Sequence, residues 1–216
     1  VVPPGPWRSK WGAGRAMMNR RTFVAAAFAV AVVMGASGAR ADEAAEARNF
    51  IDALADKAIA ALTVKDITRE ERFRRFRVLL NEHFVVKTIG QWVLGRHWRQ
   101  ATKEEKQEYL SLFEDLIVDT YADRFKRYSG EKLAITDAKS KGKKDIVVST
   151  LISRPTGGQP IRVDWRVRHV GKIKRIVDVI VEGVSMGQTQ RSEFASVISR
   201  NGGEVKGLIA KLRDRN

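Results

Sequence analysis

The sequence contains no cysteine, and only three of its 216 residues are histidine. Without cysteine, neither a disulfide framework nor a thiolate metal site can contribute to the fold or to the chemistry. The histidines His83, His97 and His169 show no ligand spacing, and a zinc site built from histidines needs three that converge. The sequence therefore predicts no metal site and no catalytic set of residues.

Acidic residues are also scarce relative to basic ones, 25 against 40, which gives a formal net charge of +15. The first 41 residues hold six of the basic residues and none of the acidic ones, so the rest of the chain carries +9. A charge of this sign raises the question of nucleic-acid binding. The basic residues are scattered over predicted helices and strands, however, and no aromatic RNA-binding pattern accompanies them. We expect no nucleic-acid partner.

The first 41 residues are expected to be a start extension followed by a cleavable signal peptide. Residues 1–16 lie upstream of two methionines and show no periodicity. A basic Asn-Arg-Arg, an uncharged stretch over 22–38 and an Ala-x-Ala site ending at Ala41 then follow, an order typical of secretory signal peptides. The uncharged stretch is shorter than the roughly 20 residues of a bilayer span, which disfavours an uncleaved anchor. The arginine pair is compatible with twin-arginine export, so folded and unfolded export both remain open.

Residues 42–130 have a helical hydrophobic period and form a predicted helical part. Apolar residues recur every three to four positions over 42–62, and capping-box spacings at Thr68 and Thr102 predict the starts of two further helices. The helix after Thr102 is expected to carry a broad aromatic stripe and to end at Gly130.

After Gly130 the hydrophobic period changes to two, which predicts an antiparallel sheet of about four strands over 131–184. Short turns rich in glycine and proline separate the strands. Two helices are expected over 185–216. The fold class is therefore α+β, with residues 42–216 forming a single domain.

The fourth predicted strand has apolar residues on both sides, which favours a central position in the sheet. The expected faces are Val177, Val179 and Val181 on one side and Ile176 and Ile180 on the other. Asp178 lies among them, whereas Asp164 alternates with arginines and is expected on a solvated face. An acid in an apolar pocket can abstract a proton, so an isomerase-type enzyme with Asp178 as its base is one alternative. A salt-bridged strand acid is the simpler interpretation.

The aromatic helix, the amphipathic segment 89–95 and the fourth strand can together enclose an apolar cavity. Two acyl chains of ~16 carbons expose apolar surface worth on the order of 25 kcal/mol to water, so a lipid crossing an aqueous compartment must be shielded. An exported protein with such a cavity is expected to carry lipid as cargo and to need no cofactor. The expected lining consists of Trp92, Val93, Phe113, Ile117, Tyr121, Val163, Trp165, Val179 and Val181.

The sequence also resembles a known family over residues 49–212. The motifs GRHWRQAT, YSGEKL and VDVIVEGVSMGQTQRSEF are similar to those of the MlaC family, the toluene-tolerance or auxiliary ABC-transport group of periplasmic phospholipid-binding proteins. His97 departs from the family pattern, where tyrosine is common, and the loop KSKGKKD over 139–145 is unusually basic.

The resemblance implies a sheet of the NTF2-like or cystatin-like type joined to a helical part, with a deep lipid pocket between them. It further implies a monomeric, non-enzymatic periplasmic protein. The implied role is to shuttle phospholipid between an outer-membrane lipoprotein complex and an inner-membrane ABC transporter complex, maintaining outer-membrane lipid asymmetry. A hopanoid or other lipid is an alternative cargo. An interaction module with a solid core and basic helices is the alternative that carries no lipid.

Overall fold

A computed structural model of the chain describes residues 42–215, so the predicted start extension and signal peptide lie outside the described residues. Within 42–215, no helix is both long and apolar enough to span a membrane. The elements in chain order are α1 (42–62), α2 (Arg69–His83), α3 (Val86–Leu94), a 3₁₀ turn (Gly95–Arg99), α4 (Lys103–Ala122), a second 3₁₀ turn (Asp123–Arg127), β1 (Lys132–Lys141), β2 (Asp145–Ser153), β3 (Ile161–Val170), β4 (Ile173–Val181), β5 (Val184–Ser185), α5 (Met186–Arg200) and α6 (Val205–Arg213).

The strands form one antiparallel sheet whose spatial order is the chain order, from β1 to β5. This confirms the predicted α+β class and the antiparallel sheet, with one short strand more than the four expected. The fifth strand is two residues long, Val184 and Ser185, and leads directly into α5. A segment this short has no alternation of its own, which is why the hydrophobic period did not indicate it.

The expected central position of β4 is wrong, because β4 is the last long strand of the sheet. Beyond it, β5 pairs with no more than Ile180 and Val181. The rest of the free edge of β4 is contacted by the residues that connect α2 to α3. Phe84 forms a parallel bridge with Ile176, and the Val85 amide donates to the Ile176 carbonyl at 3.2 Å. The helical part therefore covers this edge, and the apolar residues on both sides of β4 reflect that cover.

A β-bulge at Val177 changes the predicted faces of β4. Asp178 pairs with Arg166 while Ile176 pairs with Val167, so Val177 is the extra residue. An extra residue reverses the alternation beyond it. Ile176 therefore lies on the same face as Val179 and Val181, and not on the opposite face as strict alternation predicted.

The predicted helix starts are confirmed by side-chain caps. At α4 the Thr102 hydroxyl accepts from the Glu105 amide while the Glu105 carboxylate accepts from the Thr102 amide, a complete capping box. At α2 the Thr68 hydroxyl likewise accepts from the Glu71 amide, but the Glu71 carboxylate binds arginines instead. Hydrogen bonds from Arg74 and its neighbour at position 75 lower the pKa of Glu71 to about 2.

The helix that starts after Thr102 does not run to Gly130. Its α-helical part ends at Ala122, and a 3₁₀ turn follows. The turn begins at Asp123, whose carboxylate accepts from the Arg69 side chain at 3.1 Å. The chain thus tightens where α4 meets α2, a tertiary contact that the hydrophobic period does not report.

Two separate apolar clusters hold the fold. The first, the helical core, is built by α2 to α6; its buried residues are Leu80, Val86, Val93, Leu94, Ala101, Tyr109, Phe113, Leu116, Val118, Ala122, Phe194, Ile198, Val205, Leu208, Ile209 and Leu212. The second, the sheet core, lies between α1 and the sheet; its buried residues are Ala47, Ile51, Leu54, Ile146, Val148, Val167 and Ile176. The half-buried Phe84 packs against both clusters.

Candidate functional site

One face of the sheet, here called the inner face, carries the sheet core and extends beyond it. The strand register arranges its side chains in rows that run across the strands. The row of Ile146, Val167 and Ile176 is fully buried under α1. The two rows beyond it mix buried and half-buried residues, and the last row, formed by Leu133, Ile152 and Ile161, has no buried member.

The uncovered rows form an apolar strip on the inner face. Its members are Leu133, Ile135, Ile152, Ile161, Val163, Trp165, Val179 and Val181. All except the buried Val163 are half-buried, and Ile135, Trp165 and Val179 pack against the margin of the sheet core. The strip is therefore a continuous apolar surface that the cover of the sheet core leaves partly open.

The polar atoms within the strip are satisfied inside the sheet. The Thr150 hydroxyl is fully buried and donates to the Val163 carbonyl at 2.8 Å. The Trp165 indole N–H donates in turn to the Thr150 hydroxyl oxygen at 3.1 Å. The strip therefore presents carbon atoms outward, a lining that suits an apolar ligand and gives a polar one few partners.

Four of the nine residues predicted to line a pocket come together on this strip. Val163 pairs directly with Val181, and Trp165 pairs directly with Val179. These pairs occupy neighbouring rows on adjacent strands, so their four side chains form one contiguous block. The pairing of β3 with β4 is what brings the two halves of the block together.

The other five predicted residues lie in the helical part. Val93 and Phe113 are buried in the helical core, and Ile117 packs against it. Phe113 is stacked with Tyr109 at a ring-centroid distance of 5.8 Å. Tyr121 is half-exposed, with the Arg124 guanidinium 5.1 Å from its ring centre.

Trp92, the remaining predicted lining residue, is 45% exposed on the outer side of α3. The Arg191 guanidinium lies 5.2 Å from its ring centre and donates to the Trp92 carbonyl at 3.0 Å. A Cβ atom at position 187 would lie 3.0 Å from the Trp92 indole ring, so Gly187 allows the start of α5 to approach this ring closely.

Four strip residues were missed by sequence reasoning: Leu133, Ile135, Ile152 and Ile161. A sequence signal for two of them was present, because Leu133 and Ile135 are two residues apart in β1 and share one face. What the sequence lacked was the register that aligns Leu133 with Ile152 and Ile152 with Ile161 across three strands.

Asp178, the candidate catalytic base, is committed to a structural role at the start of α5. Its carboxylate accepts from the Ser185 hydroxyl at 2.6 Å, from the Gly187 amide at 3.2 Å and from its own neighbour, the Val179 amide, at 2.9 Å. The Ser185 hydroxyl oxygen accepts from the Gln188 amide as the N-cap. The expected salt bridge is replaced by a helix cap, which leaves the carboxylate little capacity for a substrate proton.

Asp164 also differs from its expected solvated position. It lies on the outer face of the sheet as the alternation predicts, but it is 9% exposed. Its carboxylate is held by the Arg162 side chain, with an Nη2 to Oδ2 distance of 3.1 Å. The alternating arginines of β3 thus serve as partners for strand acids.

The strongest such pairing on the outer face joins Asp145 to two arginines. Its carboxylate accepts from the side chains of Arg166 and Arg168 at 2.6 and 2.5 Å. Burial of the carboxyl raises the pKa of Asp145, but the hydrogen bonds from Arg168 and Arg166 outweigh burial and hold the pKa below its usual value of 3.8. The outer face is therefore ionic where the inner face is apolar.

Two of the three histidines, His83 and His97, take structural positions. His83 is buried, with Nδ1 3.0 Å from the Leu79 carbonyl oxygen and its ring 5.8 Å from that of Phe50. His97 is also buried, with Nδ1 3.2 Å from the side-chain oxygen of Gln100. Among residues 42–215, no group of three or more histidines, aspartates or glutamates is placed to hold a metal ion.

Two surface grooves complete the candidate sites. One, of about 490 Å³, lies between α1, the end of α2 and the start of β4, and is lined by charged residues together with Phe50, His83 and Ile173. The other, of about 390 Å³, lies between α4, α5 and α6. Neither groove includes any of the nine predicted lining residues or any residue of the apolar strip.

The geometry defines an α+β protein in which a single antiparallel sheet, partly covered by a helix, presents an apolar inner face beside a separate helical core. The family model described as MlaC protein matches residues 31–214. The chain belongs to the MlaC family, as its resemblance implied.

Curated relatives are similar over part of the chain. The chain is 24% identical over 127 residues to the Intermembrane phospholipid transport system binding protein MlaC of Haemophilus influenzae. The aligned region covers 57% of this chain and 58% of that protein. The chain is 24% identical over 114 residues to Toluene tolerance protein ttg2D of Pseudomonas putida, which covers 53% of each. The chain thus spans somewhat more than half the length of these relatives.

A solved structure shares the fold. The phospholipid-binding protein from Ralstonia solanacearum, solved in complex with a phospholipid, aligns with a TM-score of 0.70 at 24% sequence identity. The alignment covers 77% of this chain and 94% of that one. This likeness establishes the shared architecture of sheet and helices.

Proposed function

We propose that this protein binds a phospholipid through the apolar strip and carries it across the periplasm. The observation that supports this most directly is the inner face of the sheet, which stays apolar well beyond the cover that α1 provides. The acyl chains would lie on the strip, between the sheet and the helical part. The polar headgroup would remain at the edge, in contact with water.

The amount of apolar surface decides which class of ligand is reasonable. Two acyl chains of ~16 carbons gain on the order of 25 kcal/mol on leaving water, so a protein that offers a dry surface needs no specific polar contacts to hold them. The strip has that character, because its buried polar atoms are paired within the sheet. A small polar substrate would find no such match.

The division into two cores provides a way for a lipid to enter. Phe84 packs against both clusters, and its bridge to Ile176 joins the helical part to the edge of the sheet. Among the described residues, Phe84 alone packs against both clusters, so parting of the clusters at this boundary would leave most of the packing within each one in place. We propose that a lipid enters there, with Val93, Phe113, Ile117, Tyr121 and Trp92 on the helical side as the pocket opens.

The curated relatives suggest the pathway. Their names refer to an intermembrane phospholipid transport system and to toluene tolerance. We propose that this chain is the soluble carrier of such a system and exchanges lipid between an outer-membrane lipoprotein complex and an inner-membrane ABC transporter complex. This role requires a binding surface and no catalytic group, and the commitment of Asp178 to the α5 cap is in keeping with it.

The test is mass spectrometry of an organic extract from protein purified without detergent from the cells that export it. We expect close to one diacyl phospholipid per protein. A polycyclic lipid in the extract would keep the binding surface and change the cargo. An extract without lipid, from folded protein that also fails to take up phospholipid from vesicles, would overturn the proposal in favour of an interaction module.

A further inference from the structure

Two turns that project from one end of the sheet form a basic surface with an apolar tip. The turn between β1 and β2 is formed by Gly142, Lys143 and Lys144, inside the KSKGKKD segment (139–145), and the turn between β3 and β4 is Gly171 and Lys172. Alternate turns of an antiparallel meander lie at the same end of the sheet. The pairing of Asp145 with Arg168 places these two turns side by side.

Lysines at this end outnumber the acids that could neutralise them. The four tip lysines are Lys141, Lys143, Lys144 and Lys172, all exposed. Within residues 42–215, no carboxylate oxygen lies within 4 Å of the amino group of any of them. The acid closest in sequence, Asp145, is buried and already bound to Arg166 and Arg168. Among the described residues, the four tip lysines therefore have no ion-pair partner, and Glu46 of α1, in the groove beside Ile173, is bound to Lys174.

An apolar pair closes the β3–β4 ladder at the same end of the sheet, directly beside the turn of Gly171 and Lys172. Val170 and Ile173 face each other across the β3–β4 turn, and they are 42% and 49% exposed. They lie two residues beyond the pair of Arg168 and Arg175. Two β-branched side chains at a projecting turn contribute nothing to either core.

We propose that this end of the sheet, the basic tip formed by the four tip lysines with Val170 and Ile173, docks on the surface of an anionic phospholipid bilayer. Lysines near such a surface are attracted by its negative potential, and their aliphatic stems can lie along the headgroup region. The apolar pair lies next to the lysines, where it can insert into the same region.

A convex tip favours a bilayer over a protein partner. A specific protein interface needs about 800 Å² of complementary surface on each side. Two adjacent turns present a narrow, projecting surface, and a lipid headgroup layer accepts such a shape without complementarity. The basic tip is also remote in the sheet from the uncovered end of the apolar strip, because the row of Leu133 and Ile152 lies at the other ends of β1 and β2.

This docking goes beyond the proposed carrier role, since a protein can contact a bilayer whether or not it holds lipid. It can therefore be tested separately. The experiment is co-sedimentation of the protein with vesicles of phosphatidylcholine alone and of phosphatidylcholine with 30% phosphatidylglycerol, each at ~50 mM and ~500 mM salt.

The main variant is K141Q/K143Q/K144Q, and the matched control is K57Q/K65Q/K126Q. The control removes the same charge from three other exposed lysines. We expect wild type and control to bind anionic vesicles at low salt. The loop variant should bind about 100-fold more weakly, since each lysine near an anionic surface contributes about fivefold.

A second variant, V170S/I173S, separates the apolar contribution. It should weaken binding by about tenfold at both salt concentrations, because apolar insertion is not screened by ions. Unfolding temperatures and lipid content should match wild type in all variants, which keeps the result independent of the cargo.

Several results would overturn the docking. Equal binding to neutral and anionic vesicles would remove the electrostatic basis of the docking. An equal loss of vesicle binding in the loop variant and its control would show that the net charge of the protein matters and the position of the lysines does not. Absence of vesicle binding, together with capture of an acidic protein through the same lysines, would make the tip a protein contact.

Discussion

The helical core and the inner face of the sheet bury apolar side chains to different extents. In the helical core, Tyr109 and Phe113 are sealed between α3, α4 and α5, and the Tyr109 hydroxyl donates to the Gly90 carbonyl at 2.9 Å. On the inner face, the row of Leu133, Ile152 and Ile161 is half-exposed. Similar residue types thus form a closed core in one region and leave a partly open apolar surface in the other. The two regions differ in whether neighbouring helices cover the apolar side chains, and not in the apolar character of those side chains.

The largest expected effect is on the helical core. Phe113→Ala should destabilise the protein by about 3–5 kcal/mol, because it empties a site where the aromatic ring packs between Tyr109 and Phe194. Urea unfolding measures the loss. Because Phe113 is one of the residues proposed to face the lipid on the helical side, the fraction that remains folded should also hold less lipid. Full lipid content in that folded fraction would remove Phe113 from the proposed lining.

A smaller effect is expected at the joint between the regions. Asp178→Ala removes the acceptor for the Ser185 hydroxyl and the Gly187 amide and should cost about 2 kcal/mol. Ser185→Ala, which removes the N-cap hydroxyl and keeps the carboxylate, should cost about 1 kcal/mol. Thermal unfolding compares the two. If Asp178→Ala instead left stability unchanged, the carboxylate would be free for another role.

On the apolar strip, binding should change more than stability. Val181→Asn places a polar group on the inner face and should reduce the lipid content about tenfold, because the polar group must lose water when the acyl chains cover it. The matched control is Val147→Asn, at a half-buried valine on the outer face of β2. Quantitative lipid analysis of both purified proteins decides the assignment. Equal lipid in the two variants would show that the cargo does not touch the strip.

The smallest expected effect concerns the ionic outer face. The pKa of Asp145 is lower in the folded chain than its usual value, so the pairing with Arg166 and Arg168 contributes stability above about pH 4 and loses it as the pH falls through the folded pKa. Between pH 5 and pH 3, wild type should therefore lose more stability than Asp145→Asn. Unfolding temperatures across this range measure the difference. Parallel curves for the two proteins would contradict the assignment.

Much of the architecture could be predicted because it depends on local patterns. The Thr102 capping box and the alternation of β3 are recorded in adjacent residues, and the structure has both where the sequence indicates them. The α4 end differs because it depends on the contact of Asp123 with Arg69, which is 54 residues distant. Long-range contacts leave no local period.

The candidate site could be predicted only in part. Four predicted residues are adjacent because β3 and β4 follow each other in the chain and pair, so the alternation within each strand was enough to group them: Val163, Trp165, Val179 and Val181. The bulge at Val177 could not be foreseen, since no glycine or proline marks it. Trp92 is exposed because it lies on the side of α3 that faces away from the buried Val86 and Gly90.

The order of the strands has a consequence for folding kinetics. Each strand pairs with its neighbour in the chain, so the sheet can form from successive hairpins with short loops to close. The cover forms later, because α1 must reach the sheet from a distant part of the chain, as the ion pair between Glu46 and Lys174 shows. During that interval the whole inner face is exposed, and the nascent protein is at its most prone to aggregate and to bind apolar molecules.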